Sequence, residues 1–121
     1  MKIHRLVAAI GVLLSSPSHA AKCYVTEYVS IGQAPSSPAQ IAREPALLDQ
    51  TPVDFSAGAA QSATFNPSTS IVRVWCDAQA SVVFGSNPTA TNTNAPTSAG
   101  FPEFHGVTPN SGLKLSVHSN P

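Results

Sequence analysis

Charge is scarce in this chain, which holds only six Lys or Arg and six Asp or Glu among its 121 residues. Neither sign dominates, and no basic patch is present to attract a polyanion, so nucleic acid is not expected as a partner. Long apolar runs are missing too. The longest, Leu6 to Leu14, covers about nine residues against the roughly 20 that span a bilayer, which excludes a stable membrane anchor of helical type. Cysteine is limited to Cys23 and Cys76. Two thiols that far apart, with no histidine near either, do not make a zinc centre.

Reactive motifs are equally thin. No serine sits in a Gly-x-Ser-x-Gly elbow, no glycine-rich loop is built to cradle phosphate, and no two carboxylates are grouped locally for glycoside chemistry. Asn66-Pro67-Ser68 and Asn87-Pro88-Thr89 fail as glycosylation acceptors because proline occupies the middle position. Beyond the first twenty residues only His105 and His118 remain as imidazoles. With Glu103 they are the one conceivable metal or acid–base grouping, and the simpler reading places them facing solvent on edge strands. The expectation is a protein without enzymatic activity and without a cofactor.

What the chain does have begins at its N-terminus. Lys2, His4 and Arg5 precede the uncharged run, Pro17 breaks it, and Ser18-His19-Ala20 supplies small residues at the −3 and −1 positions. That is the layout of a secretory signal peptide cleaved after Ala20, or of an N-terminal apolar helix over residues 1–20. Residues 21–121 then form a single domain. They retain four basic and six acidic residues, so 4 − 6 gives a charge of −2. In an oxidising compartment Cys23 and Cys76 could close a loop of 76 − 23 = 53 residues. Two buried free thiols acting as small hydrophobes are the alternative.

Along residues 21–121 one short β-like segment follows another, separated by proline and glycine. Cys23 to Ile31 is rich in Tyr, Val and Thr, and Gln33 to Pro45 reads as a loop. Glu44 to Gln50 fits either one helical turn with Pro45 first or an extended piece. Thr51 to Ser56 and Gln61 to Phe65 look like paired strands, with Val53 and Phe55 on one face. From Ser70 the alternation is strict: Val72, Val74 and Cys76 point one way, and Ile71, Arg73, Trp75 and Asp77 the other. Asp77 to Ala80 would turn the chain into a second strand, Ser81 to Phe84, as a hairpin. Asn87 to Gly100 reads as a long polar loop. Phe101 to Val107 and Leu113 to Val117 close the series. Short strands at this spacing predict an all-β fold, a small antiparallel β-sandwich or jelly roll.

Recognition, if any, falls on the aromatics and the long loop. Trp75 shares a face with Arg73, a combination enriched at interface hot spots, although covering the second layer of a sandwich is the simpler role. Arg73, Trp75, Asn87, Thr89 and Thr91 are the candidate partner contacts.

Five stretches taken in order carry a family likeness. Tyr24-Val25-Thr26-Glu27-Tyr28, Glu44-Pro45-Ala46-Leu47, Val72-Arg73-Val74 with Asp77, Phe84-Gly85-x-Asn87-Pro88-Thr89-Ala90-Thr91, and Glu103-Phe104-x-Gly106-Val107 resemble small proteins of tailed bacteriophages and prophages encoded among head and virion structural genes. The likeness spans nearly all of residues 24–119. It implies a virion structural protein, such as a head decoration or cement component, partnered with capsid or other virion proteins or with copies of itself. The alternative is an exported periplasmic or secreted binding or adhesion module of prophage origin. The two readings imply different locations: the virion, if translation starts within the chain at Val12 or Val25, and otherwise the periplasm or the medium.

Overall fold

A computed structural model describes residues 21–33, 35, 36 and 38–121. The signal-like segment 1–20 lies outside the described residues. The described chain is all-β, as its composition and alternation predict, and its strands pair antiparallel. They are β1 (Lys22–Tyr28), β2 (Ile31–Gln33), β3 (Pro38–Ala42), β4 (Leu48–Asp49), β5 (Val53–Asp54), β6 (Ala60–Gln61), β7 (Ile71–Cys76), β8 (Ala80–Gly85), β9 (Ala95–Thr97), β10 (Glu103–Gly106) and β11 (Lys114–Ser119).

Two sheets face each other. The first runs β10-β7-β1, with β4 and β5 side by side in sequence along the free edge of β1; the second runs β6-β11-β8-β9. β2 and β3 form a separate small hairpin. The core between the sheets draws Cys23, Val25, Val53, Val72, Val74 and Cys76 from the first and Ala80, Val82, Leu115 and Val117 from the second. Phe55 and Phe65 fill it from the connecting segments, and Phe84 packs against it partly buried. Every one of these strand residues obeys the two-residue period, because only one side of each strand meets the opposite sheet.

Strand partners differ from the sequence expectation in a consistent way. Val53 and Ala60–Gln61 do not pair with one another; β5 joins β1 and β6 joins β11. Nor do β7 and β8 make a hairpin. β7 pairs with β1 and β10, β8 pairs with β11 and β9, and Asp77–Gln79 carries the chain from one sheet to the other. The turn from β10 to β11 makes the same crossing, with Asn110 at φ 57° and Gly112 at φ 68° taking the left-handed conformations that Asn and Gly tolerate. Alternation marks an inward face, and in a sandwich two consecutive strands meet that requirement equally well across the core.

Two further segments are corrected: Gln33 to Pro45 is not simply loop, since it contains β3, and Asn87 to Gly100 contains β9. Of the two alternatives for Glu44 to Gln50, the extended one holds, with a cis Glu44–Pro45 peptide followed by β4.

Candidate functional site

The two cysteines sit directly opposite one another on β1 and β7, with Cα atoms 4.0 Å apart, and are joined as a disulfide buried in the core. The close cross-strand approach of an antiparallel pair brings their Cβ atoms together. The bridge encloses the whole of β2 to β6, so it is a structural staple rather than an exposed redox centre.

On the outer side of that same β1–β7 pair lie the residues of opposite parity. Tyr24 stands opposite Trp75, and Thr26 opposite Arg73, with Phe104 of β10 on the other flank of Arg73. Tyr24 and Trp75 pack edge to face, ring centroids 5.6 Å apart and planes at 60°, a favourable aromatic geometry. Together with Thr26, Asp49, Gln50 and Arg73 they line an open cleft of about 440 Å3. Its rim follows from the break between β4 and β5: the Gln50 N–H still donates to the Val25 carbonyl of β1 at 2.9 Å, and Thr51 and Pro52 carry the chain on to β5 without strand pairing.

The polar groups of the cleft divide into committed and free. Asp49 accepts a hydrogen bond from the Thr26 hydroxyl at 2.7 Å through one carboxylate oxygen. Gln50 is fully engaged: its amide donates to Glu27 and to the Ala63 carbonyl and accepts from the Ala63 N–H. The Arg73 guanidinium, the Tyr24 hydroxyl and the Trp75 indole N–H make no hydrogen bond or ion pair among the described residues. Beside the cleft, Tyr28 is buried and donates to Glu44 at 2.9 Å; burial first, and then that hydrogen bond, raises its phenol above the usual value.

Asn87, Thr89 and Thr91 lie elsewhere, in the connection from β8 to β9. This connection folds back over the outer face of the second sheet and buries Pro88 and Ala90 there. The Ala90 N–H donates to the Ser116 hydroxyl at 2.8 Å, and Gln61 donates to the Pro88 carbonyl at 2.6 Å and to Asn87 Oδ1 at 3.0 Å. The Thr91 N–H and the Asn94 side chain close a turn at 2.7 Å. Thr89, Thr91 and Thr93 are left exposed. The five candidate contacts therefore form two groups on opposite faces: Arg73 with Trp75, and Asn87 with Thr89 and Thr91.

His105 departs from its expected place. It turns inward from β10, its ring 4.9 Å from that of Phe84 across the sandwich, with Nε2 3.4 Å from Glu103 Oε2. His118 is on β11 opposite Ser81, in the other sheet. The three do not gather, and among the described residues no group of three His, Cys, Asp or Glu could hold a metal ion. Among the same residues no helix is long and apolar enough to cross a membrane.

Two features were not legible in the sequence. Tyr24 belongs to the cleft only through its register with Trp75, a contact 51 positions away (75 − 24) that no local pattern announces. Burial of Pro88 and Ala90 gave no periodic signal, since they are isolated apolar residues in a Thr/Asn run. No family model, curated protein or solved structure matches the chain.

Proposed function

We propose that this domain is a non-enzymatic structural protein of a tailed-phage particle, a decoration or cement component that acts through surface complementarity. The observation that carries this reading is the state of the β8–β9 connection. It is long and polar, yet it is pinned at Asn87, Pro88, Ala90 and Thr91 and presents a row of exposed threonines from a fixed backbone. A surface ordered before contact loses little conformational entropy on binding, which suits a small protein that must clamp neighbouring lattice subunits. The five-part likeness to virion-associated proteins supports the same assignment. The Cys23–Cys76 bridge fits it for a start at Val12, which keeps both cysteines, and not for one at Val25, which removes Cys23; disulfides persist on virion surfaces as well as in the periplasm.

The bridge also favours the second reading, an exported binding or adhesion module, when it is taken together with the signal-like segment 1–20. Fractionation separates the two. The virion reading predicts that the chain co-sediments with purified particles after induction of the host prophage. Recovery only from the periplasm or medium, free of particles, overturns it in favour of the exported module.

A further inference from the structure

The cleft on the outer face of β1 and β7 has a composition that a purely structural face does not need. Tyr24 and Trp75 meet at 60° and so form a corner rather than a flat stack, with Tyr24 44% exposed. A ring placed in that corner lies on one aromatic face and is closed off by the other. Arg73 follows on the same face and Asp49 sits opposite on β4. The unpartnered groups are overwhelmingly donors: the Arg73 guanidinium with five N–H bonds, the Trp75 indole N–H and the Tyr24 hydroxyl. The second Asp49 oxygen is the main free acceptor, since Gln50 is spent on Glu27 and Ala63.

A ligand complementary to this set has an apolar ring face, hydroxyls along its edge and one negative charge. Planar guanidinium recognition favours a carboxylate, which it holds by two parallel hydrogen bonds. A cleft of about 440 Å3 lies at the small end of ligand-sized sites, with room for one or two sugar rings. We infer that this cleft is a binding site for a carboxylate-bearing saccharide. Trp75 and Tyr24 hold the pyranose ring, Arg73 holds the carboxylate, and Asp49 accepts from a ring hydroxyl. The site lies on the sheet opposite the threonine-bearing connection, so it stays open when that connection is engaged, and it stands whether or not the chain is found in particles.

Trp75 is the only tryptophan, which makes its emission a direct reporter of the cleft. The test titrates the disulfide-intact protein with trigalacturonic acid, with maltotriose as the neutral control and a short Glu-rich peptide as the competing anion. The expected result is a saturable change in emission with a dissociation constant in the range of about 0.1 to 5 mM, typical of weak binding. Maltotriose should bind at least about tenfold more weakly, a loss of about 1.4 kcal/mol. Arg73→Gln and Tyr24→Ala, followed by calorimetry and shown by circular dichroism to keep the wild-type spectrum, should each weaken binding by about tenfold or more, and Arg73→Lys by less than Arg73→Gln. The inference is overturned by no saturable response to trigalacturonate, by equal binding of maltotriose, by equal or tighter binding of the acidic peptide, or by unchanged affinity in folded Arg73→Gln.

Discussion

A carboxylate buried with no cation beside it among the described residues is a costly residue-scale choice unless donors satisfy it. Glu27 is 1% exposed, and it is satisfied by three donors: the Asn66 N–H and the Thr69 hydroxyl, each at 2.7 Å to one oxygen, and the Gln50 amide at 2.9 Å to the other. It thereby ties β1 to both the β4–β5 edge and the turn that leads into β7. Glu27→Ala strands all three donors and is expected to cost about 3 kcal/mol. Urea unfolding measures this, and a loss below about 1 kcal/mol would contradict the role given to it.

Two groups couple stability to pH at the same scale. Tyr28 keeps its phenol proton more tightly in the fold than at its ordinary value of 10.0, through burial and Glu44. Its contribution is complete below that value and is lost as pH rises through the higher folded value. Asp54 accepts from both the Ser56 hydroxyl and its N–H, which hold its carboxyl below the usual 3.8. Its contribution is present above 3.8 and disappears as pH falls through the lower folded value. Urea midpoints of Tyr28→Phe should therefore decline less steeply than wild type above pH 10. A parallel decline in both proteins would remove Tyr28 as the cause.

At the scale of elements, the faces of β7 were readable from alternation alone: Val72, Val74 and Cys76 are buried, and Arg73 and Trp75 are on the outside. Its neighbours were not readable, because pairing is decided by contacts between distant segments while alternation is a local property. The same limit hid Tyr24 from the cleft. A different limit applied to the β8–β9 connection, where polarity suggested a solvated loop although Ser116, buried beneath it, anchors the backbone at Ala90. Ser116→Ala removes that anchor. The Ala90 amide should then exchange with solvent at least about tenfold faster, the equivalent of about 1.4 kcal/mol, while the β1 and β7 amides remain protected. Unchanged exchange at Ala90 would show that packing alone holds the connection.

For the whole molecule, a core drawn from about a hundred residues is modest, and the Cys23–Cys76 bridge restrains 53 residues of the unfolded chain. Replacing both cysteines by alanine should lower stability by about 4 kcal/mol on chain-entropy grounds, read as the unfolding free energy extrapolated to water, with a steeper denaturant slope because the unlinked unfolded chain is more expanded. Fold class was accessible from composition and period, since scarce charge, frequent β-branched residues and regular turn residues all point to short antiparallel strands. The proposed function was less accessible, because a protein that worked by shape would leave no reactive constellation behind and its contact residues would differ little from ordinary surface.

The central claim, a structural component seated on a particle by a pre-ordered polar surface, is tested most directly by quantitative mass spectrometry of purified particles digested without reduction. The account predicts this chain at a fixed ratio to the major capsid protein, with the Cys23 and Cys76 peptides recovered as one cross-linked species. Particles that contain no copy of the chain while the cells that made them contain it in abundance would contradict it.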